Sequence, residues 1–525
     1  MRTFSRSRSS ATKLQWPVAA GIGVVGIGAA LAAGQLAAAF VGTNASPYVA
    51  VGDAFIDRTP AALKEFAVRN FGEHDKTALL VGMGALLFLL GVVAGLLSRR
   101  TATPGTVVAI GLGILGMAAV LGRNDLGQLA VLAPTFSLVV GALVFRLLHR
   151  LALEWVTDLG RDGGTYQENL AGGRRKFLIG SAGVVVGAGV AGIVGQTVID
   201  GNNVEASRAA IGPLVAAKPA AAVPLGADFV SSGTPSYLTD AGSFYRVDTA
   251  LTVPQLSTQR WSLRIHGMVN REKTFSYADI RDRKLVEQIV TLCCVSNPVG
   301  GPYISNAKFI GVYMRDLLAE VGVLPEANQL LSTSIDQYTA GTPLDTLTDD
   351  RGAMLAIGMN GQPLPVEHGF PARMVVPGLY GYVSATKWVV DMELTTFSAA
   401  QGYWIPRGYS QLAPVKTESR IDKPASFAHV SAGNVVVAGI AWAQTKGIAR
   451  VEVRVDGGPW QDAQLATEVT KNSWRMWRTF FDLKSGNHTV QSRATDDTGY
   501  VQTADTADTI PDGATGWPSV AFTVG

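Results

Sequence analysis

Long apolar runs fill the first two hundred residues, and short hydrophobic stretches broken by turn residues fill the rest. The runs cover 16–41, 77–97, 104–122, 126–148 and 177–197. At ~1.5 Å per residue each is long enough to cross a hydrocarbon core of about 30 Å as a helix. Because further runs follow, the first reads as a retained helix rather than a cleaved signal peptide. Closely spaced small residues, as in Gly21-Ile-Gly-Val-Val-Gly26, fit close packing between such helices.

Residues 199–243 are rich in Ala, Pro, Gly and Ser and read as a linker. From Phe244 short strands such as 261–267 mix with an amphipathic helix, Met314 to Val321, an α+β pattern rather than a repeating βαβ one. From about Ser426 strands follow at regular spacing, at 434–441, 448–455, 474–483 and 488–494. Asp456-Gly457-Gly458 and Ser485-Gly486-Asn487 are placed to make hairpin turns between them. The expected organisation is a five-helix transmembrane anchor over 1–198, a linker over 199–243, an α+β domain over 244–420 and an immunoglobulin-like β-sandwich over 421–525.

Charge orients the helices. Arg2, Arg6, Arg8 and Lys13, then Arg99 and Arg100, Arg146 and Arg150, and Arg174, Arg175 and Lys176 all flank one side. The 42–76 loop on the other side carries Asp53, Asp57, Glu65, Glu73 and Asp75. The positive-inside rule then puts the N-terminus in the cytoplasm and the C-terminal domain outside, in a multi-pass protein of the cytoplasmic membrane. Arg174-Arg175-Lys176-Phe177-Leu178, which begins the fifth run, is similar to a twin-arginine export signal; a plain basic flank gives the same pattern. With 44 basic against 41 acidic residues and the bases scattered, nucleic acid is not an expected partner. The six histidines, His74, His149, His266, His368, His429 and His488, fall outside the runs, which excludes a membrane-embedded bis-histidine haem. Nearly free of ionisable residues, the runs offer no proton or ion path and read as an anchor or a partner-docking surface.

The candidate chemistry lies in Thr291-Leu-Cys-Cys-Val-Ser-Asn-Pro-Val-Gly-Gly301, which holds both cysteines of the chain. There the apolar run 285–292 breaks into a turn, so one thiol can stand at a strand end facing a cavity. A soft thiolate in a glycine-rich turn suits a soft or high-valent metal, and the turn's amides can hold a neighbouring anion. Two buried core cysteines are the competing reading. An adjacent pair cannot form a disulfide framework, a four-thiolate iron–sulfur site or a zinc ribbon, and no Cys-x-x-Cys-His haem attachment occurs. No haem, flavin or iron–sulfur site is evident.

Several motifs resemble, in order, the sulfite oxidase family of molybdopterin oxidoreductases. They are Phe244-Tyr-Arg-Val-Asp-Thr-Ala, Thr291-Leu-Cys-Cys-Val-Ser-Asn, Met359-Asn-Gly-Gln-Pro-Leu-Pro, His368-Gly-Phe-Pro-Ala-Arg-Met-Val-Val-Pro-Gly and Lys387-Trp388. Val451-Glu-Val-Arg-Val-Asp-Gly-Gly and Arg493-Ala-Thr-Asp-Asp resemble that family's sandwich, often called its dimerisation domain. The resemblance spans roughly 225–525 and implies a dioxo-type molybdenum–molybdopterin centre carrying one cysteine thiolate. Cys294 is the implied metal ligand, preceding Val-Ser-Asn as the family's cysteine precedes its x-Gly/Ser-Asn, with Cys293 a neighbour. Phe244, Tyr245, Arg246, Val247 and Asp248 match the segment that wraps the pterin, and Asp336 a polar contact to it. His368 and Arg373 match its anchors, and Ala385, Thr386 and Lys387 a backbone and lysine contact. A guanidinium fork and a cationic point charge are what a pterin phosphate requires. Outside the ordered set, His368 reads as a structural histidine and Arg373 as a surface pair.

The chain also departs from that pattern. After the cysteine the turn reads Asn297-Pro298-Val299-Gly300-Gly301, without the arginine that animal and plant sulfite oxidases carry there. Arg246 aligns with one family arginine, Arg475 or Arg478 is a candidate for another, and Asp248 replaces a histidine. Less positive charge weakens a sulfite pocket and brings a neutral or zwitterionic S-oxide or N-oxide into view. The implied reaction is oxygen-atom transfer on a small molecule, with Arg246 and Arg475 orienting substrate. Electrons would pass to a separate membrane cytochrome or soluble carrier, and a homodimer is compatible with the resemblance. The rival reading is a non-catalytic surface scaffold built on a relic pterin domain.

Overall fold

The computed structural model describes residues 13–41, 45–60, 63, 66, 70–71, 75–123, 128–158, 166–201 and 204–525. Arg2, Arg6, Arg8, Glu65, Glu73 and His74 lie outside the described residues, as do the side chains of Asp57, Asp75 and Arg174. The chain divides into two compact units, Met1–Asn203 and Val204–Gly525.

The first unit is helical: α1 (Trp16–Val41), α2 (Pro47–Arg58), α3 (Asp75–Leu97), α4 (Thr103–Leu121), α5 (Leu132–Asp158) and α6 (Tyr166–Gly201). Among the described residues, five stretches are long and apolar enough to cross a membrane: Trp16–Val41, Lys76–Leu97, Thr103–Leu121, Leu129–Val156 and Arg175–Ile193. Away from the charged residues near their ends, such as Arg150 and Glu154, these stretches expose apolar side chains, Leu89, Ile114, Leu143 and Val186 among them, the surface that a hydrocarbon solvent matches. α1 packs against α3, α5 and α6. The close approach to α3 uses Gly23 against Gly91 and Gly95 against Ala19, where a Cβ would overlap the facing carbonyl. Of the small residues in 21–26, Gly23 and Gly26 face neighbouring helices, Gly26 against Phe145, while Gly21 faces open space. Two expectations change. Helix α5 runs on through His149, which lies inside the Leu129–Val156 stretch, buried, with Nε2 donating to the Ser98 carbonyl at 2.6 Å. Helix α6 starts at Tyr166, so Arg174 and Arg175 lie within a helix rather than at its start.

The second unit begins forty residues before the expected boundary, and 204–243 is no linker. α7 (Val204–Ala209) is tied down by Arg208, whose Nε donates to the Leu364 carbonyl at 2.9 Å. Ala217 N donates to Leu285 O at 2.8 Å, and Phe229 and Tyr237 are buried in the main core. Its Ala, Pro and Gly residues let this segment follow the surface of the unit in extended turns while single aromatic side chains reach inward.

Ten strands build the α+β part: β1 (Ser262–Gly267), β2 (Lys273–Ser276), β3 (Val286–Cys293), β4 (Ile304–Tyr313), β5 (Gln329–Ser334), β6 (Thr339–Pro343), β7 (Met354–Met359), β8 (Gln362–Pro363), β9 (Arg373–Val375) and β10 (Val389–Thr395). One sheet runs β2-β1-β10-β5-β6, with β1 and β10 parallel; the other runs β3-β4-β7-β8, with β9 also on β7. Every residue of β7 and all but two of β3 are buried, as expected for strands covered on both faces. Met314–Val321 is a helix, as its pattern predicts, burying Met314, Leu317, Leu318 and Val321 at the i, i+3, i+4, i+7 positions.

The remaining strands are β11 (Glu418–Lys423), β12 (His429–Val430), β13 (Gly433–Trp442), β14 (Ile448–Val455), β15 (Gln461–Asp462), β16 (Gln464–Leu465), β17 (Arg475–Leu483), β18 (Gly486–Asp496) and β19 (Ser519–Val524). They form two sheets, β11-β13-β17-β16 and β12-β19-β18-β14-β15, whose inner residues Val437, Trp477, Val451 and Val490 share one core. Asp456 and Gly457, both at positive φ, turn β14 into β15. Ser485-Gly486-Asn487 does not close a hairpin; it carries the chain from β17 to β18 in the opposite sheet.

Candidate functional site

The cysteine turn is the loop of the β3–β4 hairpin. Cys293 pairs with Ile304 at the end of the ladder, and Cys294 N donates to Tyr303 O at 3.0 Å. Asn297 closes the loop: its N–H donates to Cys294 O at 3.1 Å and its Oδ1 accepts from Tyr303 N at 2.8 Å. Gly300, at φ +72°, completes the reversal. Beneath it Thr291 is gripped from several directions. Its Oγ1 donates to Asn306 Oδ1 at 3.0 Å and accepts from Trp474 N at 2.8 Å, and its carbonyl accepts from Gln444 Nε2 at 3.0 Å. The two thiols differ: Cys293 is buried, with its Sγ toward the Cys294 carbonyl, while Cys294 is half-buried. Burial raises the Cys294 pKa, against hydrogen bonds from Ser296. A metal binding there would displace that proton.

Around Cys294 the fold gathers side chains from four other segments. Tyr245 packs on Phe244, its N–H donating to Ser305 Oγ at 3.1 Å. Burial, then the charges of Cys294 and Cys293, raise its hydroxyl well above the usual value, with Arg373 opposing. Tyr338, in the β5–β6 turn, is raised by the same two causes, burial and then Cys294, and its hydroxyl donates to Tyr382 O at 2.8 Å. The same turn places Asp336, whose carboxyl accepts from Tyr338 N at 3.3 Å and is raised mainly by burial.

His368 ends the 3-10 turn Val366–His368, with Nε2 donating to Ala241 O at 2.9 Å. Burial first, and the Arg373 charge second, lower it to about 4, so the ring is neutral. Arg373 opens β9 and is buried. Its guanidinium donates to the carbonyls of His368, Ala385 and Met374 at 3.1, 3.4 and 3.4 Å, and burial lowers its pKa to about 10. Among the described residues no carboxylate pairs with it. A buried guanidinium held only by carbonyls is a cation in want of an anion, and a phosphate meets its fork geometry. Lys387 follows the short helix Gly381–Ser384, with Nζ 2.8 Å from Asp248 Oδ2 and 3.3 Å from Glu367 O. Arg246 Nε reaches the same Asp248 oxygen at 3.1 Å.

Cys294, Tyr245, Arg246, Asp248, Asp336, His368, Arg373 and Lys387 are thus linked through shared bonds and electrostatic contacts. Other expected residues are not at the surface of the site. Phe244 is buried among Phe309, Tyr245 and His368, and Thr386 is buried with its Oγ1 2.7 Å from Ser332 Oγ. The Ala385 amide donates back to Gly381 at 3.0 Å, while its carbonyl serves Arg373. Val247 is exposed. Arg475 is a correction: in β17 it donates to the Ala466 and Ile448 carbonyls at 2.9 and 2.7 Å, spending its fork inside the sandwich. Arg478 is likewise engaged, with Gln464 and Ser232. The sandwich arginine that reaches the cysteine turn is Arg420, whose Nη1 donates to Gly301 O at 3.3 Å. Neither it nor Tyr338 carried a local sequence signal, since a lone arginine in a strand and a tyrosine in a turn are common.

A family model described as "Oxidoreductase molybdopterin binding domain" matches residues 250–404. Mitochondrial sulfite oxidase of Macaca fascicularis is 29% identical over 327 residues, covering 52% of this chain and 58% of that protein. The "Uncharacterized oxidoreductase YuiH" of Bacillus subtilis (strain 168) is 31% identical over 150 residues, covering 29% of this chain and 72% of that protein. Among solved structures, the sulfane dehydrogenase SoxCD from Paracoccus pantotrophus aligns with a TM-score of 0.47 and 26% identity, covering 52% of this chain and 76% of that one. The chain spans just over half the length of the mammalian mitochondrial sulfite oxidases it matches. Matched on both the molybdopterin-binding region and a largely covered bacterial relative, the chain belongs to the sulfite oxidase family of molybdopterin-dependent oxidoreductases.

Proposed function

We propose that this chain is a membrane-anchored molybdenum oxidoreductase that transfers an oxygen atom to or from a small substrate on the outer side of the cytoplasmic membrane. One observation supports the reading most: a buried, carboxylate-free Arg373 lies within electrostatic reach of Tyr245, which also feels the Cys294 thiol. A scaffold gains nothing from such a cation, whereas a phosphate-bearing pterin ligated beside Cys294 would neutralise it. Bound there, that cofactor supplies the two-electron oxygen-atom chemistry. Cys294 would ligate the metal, Arg373 and Lys387 would hold the phosphate, and Arg246, with its side chain 38% exposed, would meet the substrate. The five apolar helices serve as the anchor, and electrons pass to a separate carrier when the substrate is oxidised, or come from one when it is reduced. The two-sheet region is read as the family's immunoglobulin-like sandwich.

The test is the molybdenum content of detergent-purified wild type beside Cys294→Ser, from a host that makes the cofactor. Near-stoichiometric metal in wild type, with an altered or lost site in the variant, is the expected result. Paired assays of sulfite oxidation and methionine sulfoxide reduction on the loaded protein then assign the direction. Absence of molybdenum from the wild type would refute the proposal and favour the scaffold.

A further inference from the structure

Asp248 stands between two cations of the site. Its Oδ2 is 2.8 Å from Lys387 Nζ and 3.1 Å from Arg246 Nε, and its side chain is only 4% exposed. One buried carboxylate oxygen thus makes charge-assisted contacts with both cations at once. Arg246 and Lys387 share this one carboxylate, whereas Arg373 is held only by carbonyls, and burial of Asp336 works against a second negative charge there. Three cations less the Asp248 carboxylate leave a surplus of at most two positive charges. A phosphate monoester, at about −1.5 to −2 near neutral pH, takes up nearly all of it. With the cofactor's phosphate seated, little positive surplus remains to draw in a second anion.

We propose that Asp248 is the specificity-determining residue of this site: by cancelling one of its cations it selects a neutral or zwitterionic oxygen-atom donor or acceptor, such as a sulfoxide or an amine N-oxide, over an oxyanion. The inference rests on the oxidoreductase reading above and goes further by naming the substrate class. Lys387, the more enclosed partner at 10% exposure, is turned toward the carboxylate, so the cation left to face incoming molecules is Arg246, and it too shares the Asp248 oxygen. A neutral oxygen acceptor can still take a hydrogen bond from the guanidinium's remaining N–H groups, whereas an oxyanion would also have to approach Asp248.

The probe is inorganic sulfate, an inert oxyanion, titrated calorimetrically into full-length molybdenum-loaded protein at low ionic strength. Wild type should bind it in the millimolar range or more weakly. Removing the carboxylate charge in Asp248→Asn should tighten sulfate binding roughly tenfold, the size expected for one unit charge a few ångströms away in a partly solvated pocket. Asp456→Asn makes the same change of net charge in the sandwich and should leave sulfate affinity where it was. Equal sulfate affinity in wild type and Asp248→Asn, both loaded, would overturn the proposal while leaving the oxidoreductase reading intact. Absence of molybdenum from wild type would instead defeat that reading. Should Asp248→Asn not load, Asp248→Ser takes its place, and if neither loads the same titration on cofactor-free wild type and Asp248→Asn decides: tighter sulfate binding in the variant upholds the proposal, and equal affinity overturns it.

Discussion

Replacing Arg373 by methionine distinguishes a cation that holds a cofactor from one that holds the fold. In the structure the guanidinium is buried and donates to three carbonyls, one at 3.1 Å and two at 3.4 Å. Burial takes its pKa from 12.5 to about 10, which corresponds to roughly 3 kcal/mol against carrying the charge at neutral pH. Bonds from a charged donor to carbonyls, two of them long, offset about as much. Methionine fills similar space without the charge, so the cofactor-free protein should keep its stability within about 1 kcal/mol. The loaded protein behaves differently. A phosphate that loses two charge-assisted bonds, at about 1.5–3 kcal/mol each, should be retained at least a hundredfold less well. Two measurements on the full-length variant decide the matter, the denaturation midpoint without cofactor and the molybdenum content after expression with it. A stability loss of several kcal/mol with undiminished molybdenum would mean that Arg373 is a structural tie and that the phosphate lies elsewhere.

Other substitutions probe the support of the site. Thr291→Val removes a hydroxyl that joins Asn306 to the Trp474 amide and should cost about 2–3 kcal/mol, since both partners are left buried and unpaired; a loss under 0.5 kcal/mol would show that water replaces it. His368 stays neutral down to about 4, while an unfolded histidine protonates near 6.5, so stability should be complete above 6.5 and fall by roughly 3 kcal/mol as pH drops to 4. In His368→Gln that part of the acid slope should vanish, as urea midpoints across pH will show. Glu418 gives the opposite sign. Burial raises it to about 8 from 4.5, with Lys416 opposing, so stability falls as pH climbs between those values, and Glu418→Gln should flatten that rise-dependent loss. An unchanged profile in the glutamine variant would mean that Glu418 ionises with a partner other than those seen in its buried setting.

What was legible in the sequence follows the range over which each signal acts. The apolar helices and Met314–Val321 are legible, apart from where some of them end, because a long apolar run and an i, i+3, i+4, i+7 pattern are local signals. The cysteine turn was readable because Asn297, Pro298 and Gly300 encode a reversal by their own backbone and side-chain chemistry. Burial of 204–243 was not, because Phe229 and Tyr237 are isolated aromatics among Ala, Pro and Gly, and only the distant groups that cover them, Arg478 and Trp474, bring them in. The same limit explains Arg475 and Arg420. Motif order can place an arginine on a strand of the sandwich, but whether its fork meets the cysteine turn or a neighbouring carbonyl depends on strand register. Here β17 pairs Arg475 with Ala441, beside carbonyls it can reach, whereas β11 pairs Arg420 with Ile440 and directs its guanidinium to Gly301. Charge balance is the intermediate case. Asp248 was visible as a departure in one motif, yet its meaning depends on Lys387, 139 residues away, turning toward the same carboxylate. A single substitution read in isolation suggests a weaker anion pocket; the shared oxygen explains why, since one buried carboxylate engages both cations at once.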